Sequence, residues 1–160
     1  MTASVPNLHV STKSKVSGGA EVLIQSRVDA VHTGVFSVKV AVEFDPGSSE
    51  YPTGEIRFTV DLSDSIKATF TSSSIDLINS FGKHNPTIIF TGRCKVELQE
   101  KVTIPKGCKY WVIIADNKFG DKKGTPDIVG FVITDRTGSR IAYGTGPVKT
   151  GDLAVAAFGD

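Results

Sequence analysis

Between Val35 and Phe44 the chain alternates in polarity: Val38, Val40, Val42 and Phe44 fall on one side, Ser37, Lys39, Ala41 and Glu43 on the other. Successive side chains of a strand point to opposite faces, so this period of two predicts a strand with one dry and one wet face, as antiparallel sheets allow. The same alternation returns at Ile56, Phe58 and Val60, at Ile66, Ala68 and Phe70, and over 20–28. The residue supply agrees. Val, Ile and Thr together number 46, against seven Leu and Met. Side chains branched at Cβ are stiff and fit a pleated surface better than a helix, so the chain is expected to be all-β.

The most apolar stretch, Thr87–Asn117, holds both cysteines and the single tryptophan. It reads as two long strands, 87–98 and 109–116, joined by a strand-like piece around Val102–Ile104. In the second, Tyr110, Val112 and Ile114 share one face, and Trp111 and Ile113 the other. Two apolar faces predict a central strand with Trp111 in the core rather than on a ligand platform. Elsewhere Gly18-Gly19 reads as a turn after a weak edge strand over 8–16. Residues 45–54 read as a loop and 74–80 as a strand. Residues 128–134 form a strand, with a hairpin turn at 136–139. Gly144–Pro147 reads as a break before a last strand, Leu153–Phe158. Turn signals recur about every 8–12 residues, the spacing of a sandwich or barrel. The expected fold is one antiparallel β-sandwich of about eight to ten strands over 1–160, with 1–6 a loose arm. Its core should include Val38, Val40, Phe44, Phe58, Ile89, Val112, Ile114 and Phe131.

Charge and motifs exclude several functions. The formal net charge is +1 with acids and bases interspersed, so nucleic acid is not an expected partner. No run approaches the ~18 apolar residues of a membrane-spanning helix. The N-terminus, MTASVPNLHVSTKSKVSGG, has no apolar segment of the secretory kind, which leaves a cytoplasmic location open. His9, His32 and His84 are linked to no nucleophile by spacing. There is no G-x-S-x-G, and Gly144-Thr-Gly146 lacks the Lys-Ser/Thr of a phosphate loop. The chain is therefore expected to be non-catalytic.

Three sets of residues are candidates for chemistry. Asp116, Asp121 and Asp127 put three carboxylates on one glycine-containing loop, which could hold a structural calcium ion. The plainer reading is that Asp116 and Asp127 accept bonds from nearby backbone N–H groups. Cys94 and Cys108 fit either a disulfide across neighbouring strands or two half-buried thiols. Tyr51 and Phe119, each in a loop beside Pro or Gly, are the candidate ligand-contacting aromatics.

The order of several motifs resembles a β-sandwich domain that recurs in large secreted bacterial surface proteins. Lys15–Gly19 resembles its opening strand and double glycine, and Gly34-Val35-Phe36 the start of its second strand. Pro52-Thr53-Gly54 resembles its hairpin, Phe70–Ser74 its serine-ended strand, and Ile89–Gly92 its Ala-x-Phe-x-Gly strand. Tyr110 to Asn117 resembles its aromatic strand running into an Asp-rich loop. Asp127, Gly138, Tyr143 and Gly151-Asp152-Leu153 resemble its closing hairpin and last strand. The chain departs from it at Cys94 and over Lys118–Pro126. The resemblance implies an extracellular or cell-surface, non-catalytic adhesion or spacer module with a protein or glycan partner, and it favours the bridge between the cysteines. A carbohydrate-binding module and an intracellular self-assembling protein are the alternatives.

Overall fold

The computed structural model describes residues 13–24, 34–63, 66–82, 86–98, 107–117 and 125–157. Nine strands account for most of them. They are β1 (Ser14–Ile24), β2 (Gly34–Phe44), β3 (Thr53–Ser63), β4 (Ile66–Ser72), β5 (Leu77–Phe81), β6 (Thr87–Leu98), β7 (Cys108–Ala115), β8 (Ile128–Thr134) and β9 (Arg140–Ala157). Among the described residues there is no helix. The expected strand around Val102–Ile104 and the N-terminal arm lie outside the described residues, as do His9, His32 and His84.

The sheet is not split into the two layers of a sandwich. Every pairing is antiparallel, and the order β4-β3-β2-β1-β9-β8-β7-β6 returns to its start through a β4–β6 pairing, Ala68↔Leu98 to Ser72↔Cys94. Eight strands thus close a barrel, and β5 pairs with β6 as a ninth. A barrel and a sandwich both bury one face of each strand, so the alternation that predicts one permits the other. What separates them is one long-range pairing that no local pattern announces.

An eight-stranded barrel is just wide enough for side chains to fill. Phe36 on β2 and Phe58 on β3 reach across to Phe131 on β8, with ring centroids 4.7 and 5.3 Å apart. Phe90 and Tyr110 meet edge to face at 6.0 Å. Val38, Val40, Phe58, Val112, Ile114 and Phe131 are buried as expected. Phe44 is only partly buried, being the last residue of its strand. Ile89 is 38% exposed, because Ile88 and Phe90 take the inward positions of β6.

Two expected breaks are absent. Gly18-Gly19 is not a turn but the middle of β1, and Gly18 adopts φ +135° where a Cβ would come 2.2 Å from the Asp152 carbonyl oxygen of β9. Gly18 marks a close approach of neighbouring strands. Gly144–Pro147 does not end a strand either. Up to Pro147, β9 pairs with β8, and from Val148 with β1, so proline's missing N–H falls where β9 changes partner. A register shift at Glu21/Val22 adds one residue there.

Along β6, β4 and β5 act as one interrupted strand. Ser72 faces Cys94 and Leu77 faces Thr91, so four residues, 73–76, span the two positions 92 and 93. The bulge is held by bonds from Ser73 and Ser74 N–H to the Arg93 carbonyl and from Asp76 N–H to the Thr91 carbonyl. It lies directly over Gly92, where a Cβ would sit 2.0 Å from the Ser74 oxygen.

Candidate functional site

The two described aspartates of the proposed metal set sit at one end of the barrel. Asp116 follows β7 and Asp127 precedes β8; both are buried. Past Pro147, β9 outruns β8, which leaves the N–H groups on the edge turned away from β1 facing no strand. The aspartates supply the acceptors. Asp127 takes the Leu153 N–H on Oδ2 at 3.4 Å and the Asn117 N–H on Oδ1 at 3.0 Å, while Asp116 Oδ2 takes the Val155 N–H at 3.1 Å. The Asp127 carbonyl also accepts from Val148 N–H at 2.8 Å. Two carboxylates therefore stand in for a missing strand edge, the role of a buried acceptor that satisfies backbone donors. Asp121 lies outside the described residues, and among those described no group of three His, Cys, Asp or Glu could hold a metal ion.

Cys94 and Cys108 are direct partners in the β6–β7 register and are joined as a disulfide, with Cα atoms 4.9 Å apart. Close behind them Tyr110 is buried, donating its hydroxyl to the Ser74 carbonyl at 2.9 Å. Burial, and then the charge of Asp76, pushes the Tyr110 phenol well above its usual value, so it stays a neutral donor that pins the bulge.

The outward face of β5–β8 is the feature that sequence reasoning misplaced. Trp111 is 46% exposed rather than in the core, and Ile113 beside it is also exposed. The second apolar face of β7 is the outer wall of the barrel. The register carries it across neighbouring strands. Ile89, Ile113, Gly130 and Thr145 form one row, and Thr91, Trp111, Val132 and Tyr143 the next. Gly130 leaves a groove of about 210 Å³ between Ile113 and Thr145. Leu77 and Phe81 on β5 and Ile128 on β8 extend the face. Tyr143, at one end of it, carries the Arg140 guanidinium 4.6 Å over its ring.

The expected ligand aromatics do not join this face. Tyr51 is exposed on the β2–β3 loop, and β2 lies four strands from β7 in either direction round the ring. Phe119 lies outside the described residues. The signal that could have found the face was the apolar pair Trp111 and Ile113, which pattern alone could not distinguish from a second buried layer. Comparison with protein-family models, with curated proteins and with solved structures finds no match to this chain.

Proposed function

We propose that this chain is a non-catalytic binding module, of the surface or adhesion kind, that works through contacts of its outward β5–β8 face with a protein or glycan partner. One observation carries the reading: of the seven large apolar side chains exposed among the described residues, all but Tyr51 sit on β5 to β8. Single exposed apolar residues are ordinary, whereas a contiguous face of them marks an interaction site.

The rest of the barrel supports it. Its lumen is filled by Phe36, Phe58 and Phe131 instead of opening as a ligand cavity. The buried acids are engaged with backbone donors, not poised as an acid–base pair. The outer surfaces of β2 and β3 carry Lys39, Glu43, Glu55 and Arg57, all exposed, and a wall charged outside and apolar inside is the reverse of a lipid-facing barrel. The Cys94–Cys108 bridge supports an oxidising, extracellular or cell-surface setting. The motif order that resembles secreted bacterial surface modules supports the same setting, although the sheet closes where that resemblance implies a sandwich.

A carbohydrate-binding role has an observation of its own: Trp111 and Tyr143 lie in one outward row with Val132 between them, a spacing of two strands, or about 10 Å. Flat rings so arranged can stack on successive sugar units. Trp111 is the only tryptophan, so its emission reports on this face alone. The test compares the native chain with a Trp111→Ser/Ile113→Ser variant by immobilised-glycan binding and by sedimentation velocity over a concentration series. The reading holds if the variant melts like the native chain but loses glycan binding; loss of self-association alone would favour a self-assembling protein instead. Identical behaviour of the two proteins in both assays would sink it.

A further inference from the structure

We infer that the cleft beside the Cys94–Cys108 bridge, one outward row along β6 and β7 from Trp111, is a second binding site that adjoins the apolar face, and that it takes an acidic oligosaccharide bearing sulfate or carboxylate groups. The cleft has a volume of about 580 Å³ and is lined by Arg93 and Lys95 of β6, Lys109 of β7 and Arg136 of the β8–β9 turn. That volume is within the range of small-ligand sites.

The charges are placed at a cost to the fold. Arg93 and Lys109 are direct cross-strand partners, a like-charge juxtaposition that destabilises a sheet. None of the four cations makes an ion pair among the described residues. The nearest candidate to neutralise Arg136 is its neighbour Asp135, but its carboxylate is turned into its own loop. Asp135 Oδ1 accepts from Thr137 N–H at 2.8 Å, Thr137 Oγ1 at 2.7 Å and Ser139 N–H at 3.0 Å. Among the described residues, Glu97, two residues beyond Lys95, is the one acid on the lining. A concave surface dominated by one sign focuses its field and raises the local concentration of the opposite charge.

The spacing selects the class of anion. Arg93 and Lys95 are separated along one strand by about 7 Å, and Lys109 lies across from Arg93 at about 5 Å. Arg136 lies two residues past Thr134, the next partner in that row. One phosphate would engage a fraction of this array, whereas a chain carrying repeated oxyanions would engage all of it. Arginine forks suit groups that present two oxygens side by side, such as carboxylate and sulfate. Single-stranded nucleic acid is the competing polyanion, but among the described residues the lining has no aromatic ring on which a base could stack.

The test titrates the native chain with a sulfated heparin-type octasaccharide, an uncharged oligosaccharide of equal length and a single-stranded oligonucleotide of matched charge, at several salt concentrations. An Arg93→Gln/Lys109→Gln variant, a Lys109→Arg variant and Trp111→Ser are run alongside, each checked by thermal melt. Removing the cross-strand repulsion should leave the double variant at least as stable as the native chain. The expected result is salt-dependent binding of the sulfated sugar, weakened tenfold or more in the double variant, kept in Lys109→Arg and unchanged in Trp111→Ser. No binding by the native chain, equal binding by the double variant, equal binding of the uncharged sugar or tighter binding of the oligonucleotide would each overturn the inference. Loss in Trp111→Ser alone would move the site to the apolar face.

Discussion

Replacing Asp127 by Ala tests whether a side chain holds the barrel where a strand is missing. The carboxylate accepts the Asn117 and Leu153 N–H groups at 3.0 and 3.4 Å from a residue with no exposed surface. A buried donor left without its acceptor costs about 1–3 kcal/mol. Two donors, one of them on a longer bond, put the loss at about 3–4 kcal/mol. Asp127→Asn has the same shape but presents an NH₂ group to one of the two donors, so about half that loss is expected. The assay is equilibrium unfolding in urea, with amide hydrogen exchange at Leu153 to locate the effect. Asp152→Ala, exposed on the same strand, should stay within about 0.5 kcal/mol of the native chain. The reasoning fails if Asp127→Ala costs less than about 1 kcal/mol, or if the Leu153 amide exchanges no faster in either variant.

Four further outcomes follow from the same geometry. Reducing the Cys94–Cys108 bridge opens a loop of about 15 residues and should cost about 3 kcal/mol, a fall in Tm of roughly 6–12 °C on a melt with and without reductant. Gly92→Ala drives a Cβ to 2.0 Å from the Ser74 oxygen and should cost about 2–3 kcal/mol in urea, with faster exchange at Asp76. Bonding, first from the Thr137 side chain, holds Asp135 below its usual 3.8, so it favours folding above that pH, and the contribution disappears as pH falls through the lower folded value. A carboxyl NMR titration should place its midpoint below 3.8 and move it up in Thr137→Val. Asp116 and Asp127 already accept backbone donors, so melts in EDTA and in millimolar Ca²⁺ should coincide; a rise with Ca²⁺ would put an ion in the 116–127 loop.

The strands were legible in the sequence because each carries its own signal. Period-two alternation located Val35–Phe44 as β2, and Ile128–Thr134 appeared between turn residues as β8. Inward positions such as Val38, Phe58 and Val112 followed directly. What failed depended on partners distant in the chain. Gly18 reads as punctuation until Asp152 is known to lie against it, and Pro147 reads as a stop until β9 is seen to change neighbours there. The acceptor role of Asp116 and Asp127 was open to local reasoning as a kind of motif, but not the donors, which are 39 and 26 residues away on β9.

The misplacement of Trp111 has a physical source that bears on function. A strand buried on both faces and a strand whose outer face awaits a partner have the same composition, because both are built to leave water. Pattern reasoning assigns the second face to the molecule's own interior by default. Here the barrel's interior is already complete: Tyr110, Val112 and Ile114 fill β7's inward positions, and Phe36, Phe58 and Phe131 meet across the lumen. That leaves Trp111, Ile113 and Ile89 with no interior to join. Closure of β4 on β6 gives each strand one inward face, as a sandwich would, so the outward row of β7 is a surface in either architecture, and the functional reading rests on its register and exposure.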